Sequence, residues 1–214
     1  MTTTCTRLVA AVTVAVGALA GASCGNVAQQ GRSPVQVAIM KIEGATGVAP
    51  TVFGNPLLSD VQTMVTRTIN GQQVAVPTIF NDLGRADFVL VLKDQGSPGV
   101  SAAPSAVNQV TFNRYRVIYR RADGRNTAGV DVPFPFDGAV TFTVPASGTV
   151  TAAFELVRVQ AKQEAPLLQM VGGGGQAMIS TFAEITFYGA DLAGNQVSVT
   201  GTIAVNFGDF ADPS

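Results

Sequence analysis

The stretch Val197-Ser198-Val199-Thr200-Gly201-Thr202-Ile203-Ala204-Val205-Asn206-Phe207 decides the fold class of this chain. In an extended backbone, Val197, Val199, Gly201, Ile203, Val205 and Phe207 fall on one face. Ser198, Thr200, Thr202, Ala204 and Asn206 fall on the other. Side chains alternate across a strand with a period of two, so the segment has one dry face and one wet one. That is the mark of a half-buried antiparallel strand.

The same reading extends backwards from it. Ile179–Tyr188 forms a strand with Ile185 and Phe187 facing in. Val140, Phe142 and Val144 alternate with Thr141 and Thr143, Pro145–Gly148 turns the chain, and Val150–Gln160 returns it. Val110–Arg121 is a long strand with Tyr115, Val117 and Tyr119 on one face and Arg114, Arg116 and Arg120 on the other, ended by a turn at Asp123-Gly124. Pro133-Phe134-Pro135 is an extended connector, because each proline lacks an N–H and biases its predecessor toward extended geometry. Phe88–Lys93 is a continuous apolar run suited to a central strand. Asp60–Thr68 and Gln73–Phe80 flank Asn70-Gly71, a strong hairpin signal. Val35 to Ile42 reads as a strand buried on most of both faces. Gln95–Ala106, rich in Gly, Ser, Pro and Ala, is a loop or a boundary between subdomains. Ala49–Asn55 and Val76–Asp82 echo each other, each a Pro-started edge segment planting a Phe, Phe53 or Phe80, in the core. No helical periodicity appears beyond the first 24 residues. The expectation is an all-β antiparallel sandwich of around nine strands over residues 35–210.

The N-terminus carries a different pattern. Arg7 precedes an apolar stretch, Leu8–Ala20, and then the small residues Gly21-Ala22-Ser23 before Cys24. A basic start, a short apolar run and small residues at a cut are the layout of an export signal. The run is shorter than the roughly 20 residues that span a bilayer. The segment resembles a bacterial lipoprotein signal, which typically ends Leu-Ala-Gly-Cys, although Gly21 stands where a branched apolar residue is usual and Leu19 lies two residues early. The resemblance implies a signal peptide over 1–23, Cys24 as the lipid-bearing N-terminus, and a tether over 24–34. In a Gram-negative cell, Gly25 rather than Asp after the cysteine implies the outer membrane, facing the periplasm or the surface. The alternative is ordinary cleavage that leaves Cys24 as a free thiol.

Composition narrows the chemistry. Net charge is −1, with 13 basic and 14 acidic residues, so no basic field exists to hold nucleic acid. The chain has no His and no Trp, and its two cysteines are Cys5 and Cys24. Cys/His zinc sites, Ser-His-Asp triads and Cys-His dyads are therefore excluded from the body of the protein. Carboxylate, Ser/Lys and oxygen-ligand metal chemistry remain.

Phe187–Phe207, with its turn Asp191-Leu192-Ala193-Gly194-Asn195, resembles the closing hairpin of bacterial immunoglobulin-like domains. Asp191 can accept from the turn's own N–H groups, while Gly194 and Asn195 tolerate positive φ. The resemblance covers about 20 residues and implies an adhesion, scaffold or spacer module rather than an activity. The whole chain also resembles uncharacterised bacterial lipoproteins with a similar ending.

Each candidate site has a plainer alternative. Arg114, Arg116 and Arg120 form the candidate binding face, for lipid headgroups, an acidic glycan or a partner carboxylate. The alternative is a solvated face paired with Glu155, Glu184 or aspartates on neighbouring strands. Gly172–Gly175 lacks the Lys-Ser/Thr of a phosphate cradle and reads as a loop. Asp123, Asp131, Asp137, Asp191, Asp209 and Asp212 could offer loop carboxylates to calcium, or serve turns and caps. Glu155 and Glu184 could face each other on adjacent strands as an acid/base pair. No cofactor or metal is expected, and Lys41, Lys93 and Lys162 stand in no Ser-x-x-Lys arrangement. The reading that follows is a non-catalytic envelope lipoprotein serving as an interaction or structural module, held at the membrane by its lipid, with a protein or glycan partner. A glycan- or calcium-binding module is the alternative, and a carboxylate-dependent hydrolase a third.

Overall fold

The computed structural model describes residues 32–94, 96, 104–173 and 177–210. The expected signal over 1–23, Cys24 and most of the tether lie outside the described residues, as do most of Gln95–Ala106, Gly174, Gly175 and Asp212.

The protein is all-β. Ten strands appear among the described residues: β1 (Val35–Ala45), β2 (Leu57–Asp60), β3 (Thr63–Ile69), β4 (Gln72–Thr78), β5 (Asp82–Leu92), β6 (Val110–Arg120), β7 (Phe136–Val144), β8 (Thr149–Val157), β9 (Met178–Asp191) and β10 (Gln196–Gly208). One sheet has the order β1-β5-β8 and the second β2-β10-β9-β6-β7, while β3 and β4 form a hairpin of their own. Pairing is antiparallel except between β2 and β10, which run parallel.

The alternating stretch from Val197 lies in β10, paired along its length with β9. Asp191 terminates β9 by turning its carboxylate back on the connection. Its Oδ1 accepts from the N–H groups of Ala193 and Asn195 at 3.0 and 2.9 Å, and its Oδ2 from Asn195 Nδ2 at 2.9 Å. Of the two residues expected to tolerate positive φ there, Gly194 takes it, at +82°. Asn70 and Gly71, at φ 51° and 79°, close the β3–β4 hairpin as their sequence demands.

The two large sheets face one another through aromatic rings. Phe88 on β5 lies 4.7 Å from Phe142 on β7 and 5.0 Å from Phe187 on β9, centroid to centroid. Phe154 on β8 meets Phe187 at 5.2 Å, and Phe112 on β6 stacks on Phe142 at 5.1 Å. Each fully buried Phe is worth about 1.5–3 kcal/mol in removed apolar surface, so this cluster dominates the core. Residues on both sides of the 95–103 segment contribute to it.

Tyrosines add polar ties between the sheets. Tyr119 Oη donates to the Leu156 carbonyl at 2.6 Å, and Tyr115 Oη accepts from the Glu155 N–H at 3.2 Å. Both tyrosines sit on β6, whereas Glu155 and Leu156 belong to β8, an edge strand whose outer backbone has no strand neighbour among the described residues. The hydroxyls satisfy groups that the sheet leaves open. Burial pushes both phenols above their ordinary range, Tyr119 far above it, which keeps Tyr119 a donor.

Three expectations need correction. β1 is not buried on both faces: a bulge between Ile39 and Lys41 shifts the phase, leaving Met40 67% exposed and turning Ile42 inward. The strand expected over Val150–Gln160 stops at Val157, and Val159–Lys162 forms a single helical turn, α1. Neither Phe53 nor Phe80 is planted in the core; both are partly exposed, and Phe53 lies under the Arg85 guanidinium at 4.2 Å.

Candidate functional site

β6 carries Arg114, Arg116 and Arg120 on the solvent face of the five-stranded sheet, opposite the buried Tyr115, Val117 and Tyr119. β-pairing decides what those guanidiniums meet. Arg116 lies across from Asp137 on β7, and its Nη1 reaches Asp137 Oδ2 at 2.8 Å. Arg120 pairs with Glu184 on β9 at 3.3 Å. Arg114 stacks over the Tyr188 ring at 4.4 Å and stands 4.0 Å from Asp137. Three cations are thus set against two carboxylates, and the field for an external anion is mostly cancelled. Exposed pairs of this kind contribute about 0–1 kcal/mol each.

The loop aspartates are taken up by backbone N–H groups and neighbouring arginines. Asp123 holds Arg121 and Arg125 at 2.7 and 2.9 Å, and the hydrogen bonds from Arg121, with Arg125 behind it, keep its carboxyl well below the usual range. Asp131 accepts from the Thr127 N–H, Asp209 from the Gly172 N–H, and Asp191 serves its turn. Among the described residues, no group of three or more acidic residues is placed to hold a metal ion.

Glu155 and Glu184 are not brought together. They lie on β8 and β9, which belong to different sheets, so the expected adjacency fails. Glu155 Oε1 instead accepts from Asn81 Nδ2 at 2.8 Å, and its Oε2 faces Arg158 at 3.5 Å.

The polar centre that sequence reading missed is buried. Lys162, the last residue of α1, directs Nζ to Asp82 Oδ2 at 2.8 Å, with both side chains 1% exposed. Ser59 on β2 donates Oγ–H to the same oxygen at 2.6 Å, and the Gly47 N–H donates to Asp82 Oδ1 at 3.0 Å. Asn81, the preceding residue, accepts from the Val159 N–H at 2.7 Å, so residues 81 and 82 hold both ends of α1. Gly47 can approach because it has no side chain: a Cβ there would lie 2.2 Å from Phe80 Cβ and 2.4 Å from the Asn81 carbonyl. Removing two ions from water is costly, and only a close, hydrogen-bonded pair offsets it. The available signal was weak: one of three lysines in a lysine-poor chain, set between Val159, Ala161 and Leu167.

Open grooves mark the seam between β7 and β8. One, of about 340 Å³, is lined by Leu83, Tyr115, Gly138, Phe154, Glu155 and Arg158 among others. A neighbouring groove of about 230 Å³ has Phe134, Phe136, Arg158 and Glu164 in its wall. Arg158 lines both, stacked on Phe136 at 4.0 Å and bound through Nη2 to the Asp137 carbonyl at 2.6 Å. Both grooves open to solvent, unlike ligand cavities, which enclose most of a small molecule.

No protein-family model, curated protein or solved structure matches this chain. No helix among the described residues is long and apolar enough to cross a membrane.

Proposed function

We propose that this chain is a non-catalytic lipoprotein of the bacterial envelope, anchored through Cys24, whose immunoglobulin-like sandwich acts as an interaction or structural module. The strand order supports the immunoglobulin-like assignment. That fold places strands A, B and E on one sheet and G, F and C, extended by C′, on the other. The orders β1-β5-β8 and β10-β9-β6-β7 follow it, with the β3–β4 hairpin inserted between the first strand and the second. In antibody domains strands B and F carry the inter-sheet disulfide; here β5 and β9 carry Phe88 and Phe187 in contact.

The hairpin is the observation that carries the functional reading. Among the described residues, β3 and β4 hydrogen-bond to each other and join neither large sheet, and Met64, Ile69 and Val74 are 39–47% exposed. A two-stranded hairpin alone is marginal in water, and its open edges are templates for pairing. Strand addition to a partner is the interaction such an arm suits. Against catalysis, the buried Ser59 hydroxyl is closed to substrate, and the two candidate glutamates lie on different sheets.

The test places a photoreactive residue at Ile69 in the full-length protein in its own envelope, with Thr200 on β10 as control. An adduct at Ile69 and none at Thr200 is expected, and the Ile69 adduct is lost when the exposed Val74 is changed to Lys with thermal unfolding unchanged. No adduct at the hairpin, together with a melting temperature raised by calcium or glycan, would instead assign the protein to ligand binding.

A further inference from the structure

We propose that Asp82 and Lys162 are joined by an intramolecular amide, making this buried pair a self-modification site. The two groups are already in contact, with Nζ 2.8 Å from Oδ2 of the carboxyl whose Cγ it would attack. Well-oriented intramolecular groups behave as if at about 10⁵–10⁸ M, so no external activation is needed to bring them together. Water is kept out on every side, since Lys162 and Asp82 are each 1% exposed and Ser59 is fully buried. Exclusion of water favours condensation over hydrolysis. The product also removes two buried charges, which low-dielectric surroundings penalise heavily.

The step balances within the cluster. One proton passes from Nζ to Oδ2 along their contact, and the freed amine attacks Cγ. Negative charge develops on Oδ1, where the Gly47 N–H already donates at 3.0 Å, the arrangement that stabilises a tetrahedral oxyanion. Ser59 Oγ, 2.6 Å from Oδ2, relays a second proton from nitrogen to that oxygen. The Cγ–Oδ2 bond breaks, water leaves and the Cγ–Nζ amide remains. Nothing is oxidised or reduced, and no co-reactant is consumed.

The bond would tie the start of β5 to the end of α1. The two cysteines, Cys5 and Cys24, precede the described residues, so a covalent staple of the sandwich has to come from other chemistry. This inference stands apart from the anchoring and partner proposals and survives their failure.

The test is made on the purified full-length protein. After complete denaturation, an amine-reactive label is counted against the three lysines of the sequence, Lys41, Lys93 and Lys162. Among the lysines, the amide predicts label on Lys41 and Lys93 alone, and a branched peptide containing Asp82 and Lys162 that is lighter by one water. Lys162→Arg, which keeps the charge, restores the unmodified mass, and Ser59→Ala leaves a detectable fraction of open pair. Label on Lys162 in the denatured wild type, with two separate peptides of unmodified mass, overturns the proposal.

Discussion

Phe88 on β5 meets Phe187 on β9 edge to face, with ring centroids 5.0 Å apart and planes at 87°. This one contact joins the three-stranded sheet to the five-stranded sheet at the centre of the core. Edge-to-face geometry sets the positive ring edge against the negative face, worth about 0.5–1.5 kcal/mol beyond burial. Phe187 also meets Phe112, Tyr115, Phe142 and Phe154, so it is the hub around which both sheets pack.

Phe187→Ala is therefore expected to destabilise the protein by about 3–5 kcal/mol. Phe182→Ala, on the same strand but 51% exposed, should cost about 0.5 kcal/mol or less. Urea denaturation of the two variants checks the contrast. Equal losses would mean that the aromatic cluster does not hold the sheets together.

Tyr119→Phe removes the hydroxyl that donates to Leu156 across the sheets. The buried carbonyl is left unsatisfied at a cost of about 1–3 kcal/mol. Tyr115→Phe should cost less, because the Glu155 N–H it accepts from is only partly buried. The order of the two urea midpoints is the readout.

How much of this was legible in the sequence depends on how locally each feature is encoded. β10 and the Asn70-Gly71 hairpin were readable because alternation and turn chemistry lie within a few consecutive residues. The helical turn at Val159–Lys162 was not, since the apolar run from Val150 continues into it without a change that a strand reading would detect. The Met40 bulge escaped for a related reason: one extra residue reverses the phase without altering composition. The arginine face was visible on β6, but its cancellation by Asp137 and Glu184 depends on which strands pair. The Asp82 cluster draws on residues 47, 59, 82 and 162, and only the packed fold makes them neighbours.

Gly47→Ala probes that cluster directly. A Cβ would sit 2.2 Å from Phe80 Cβ and 2.4 Å from a backbone oxygen, so the loop must move and its N–H must leave Asp82. The expected loss is about 1–3 kcal/mol. Gly124→Ala, where nothing lies within 4 Å of the new Cβ, should lose only the positive-φ penalty of about 1–2 kcal/mol.

Asp191 gives a pH prediction. Burial alone would raise its pKa, but hydrogen bonds from Asn195, Ser33 and Ala193 outweigh burial and hold it below the ordinary value. The folded pKa is depressed, so the stabilisation is fully present above the unfolded value of about 3.9 and is lost as pH falls through the lower folded pKa. Asp191→Asn should therefore be less stable than wild type at neutral pH, with the gap narrowing in strong acid. Unfolding curves at neutral pH and below the unfolded pKa test it; a gap that widens in acid contradicts the assignment.

The central claim is a folded module held at the envelope by Cys24, and the direct measurement is the intact mass of the mature protein taken from its own membrane, beside Cys24→Ala. The account predicts a chain beginning at Cys24 with lipid mass on it, and release of the variant from the membrane. An unmodified N-terminus at Gly21 or Ser23, with Cys24 a free thiol, would contradict it and make the sandwich a secreted domain.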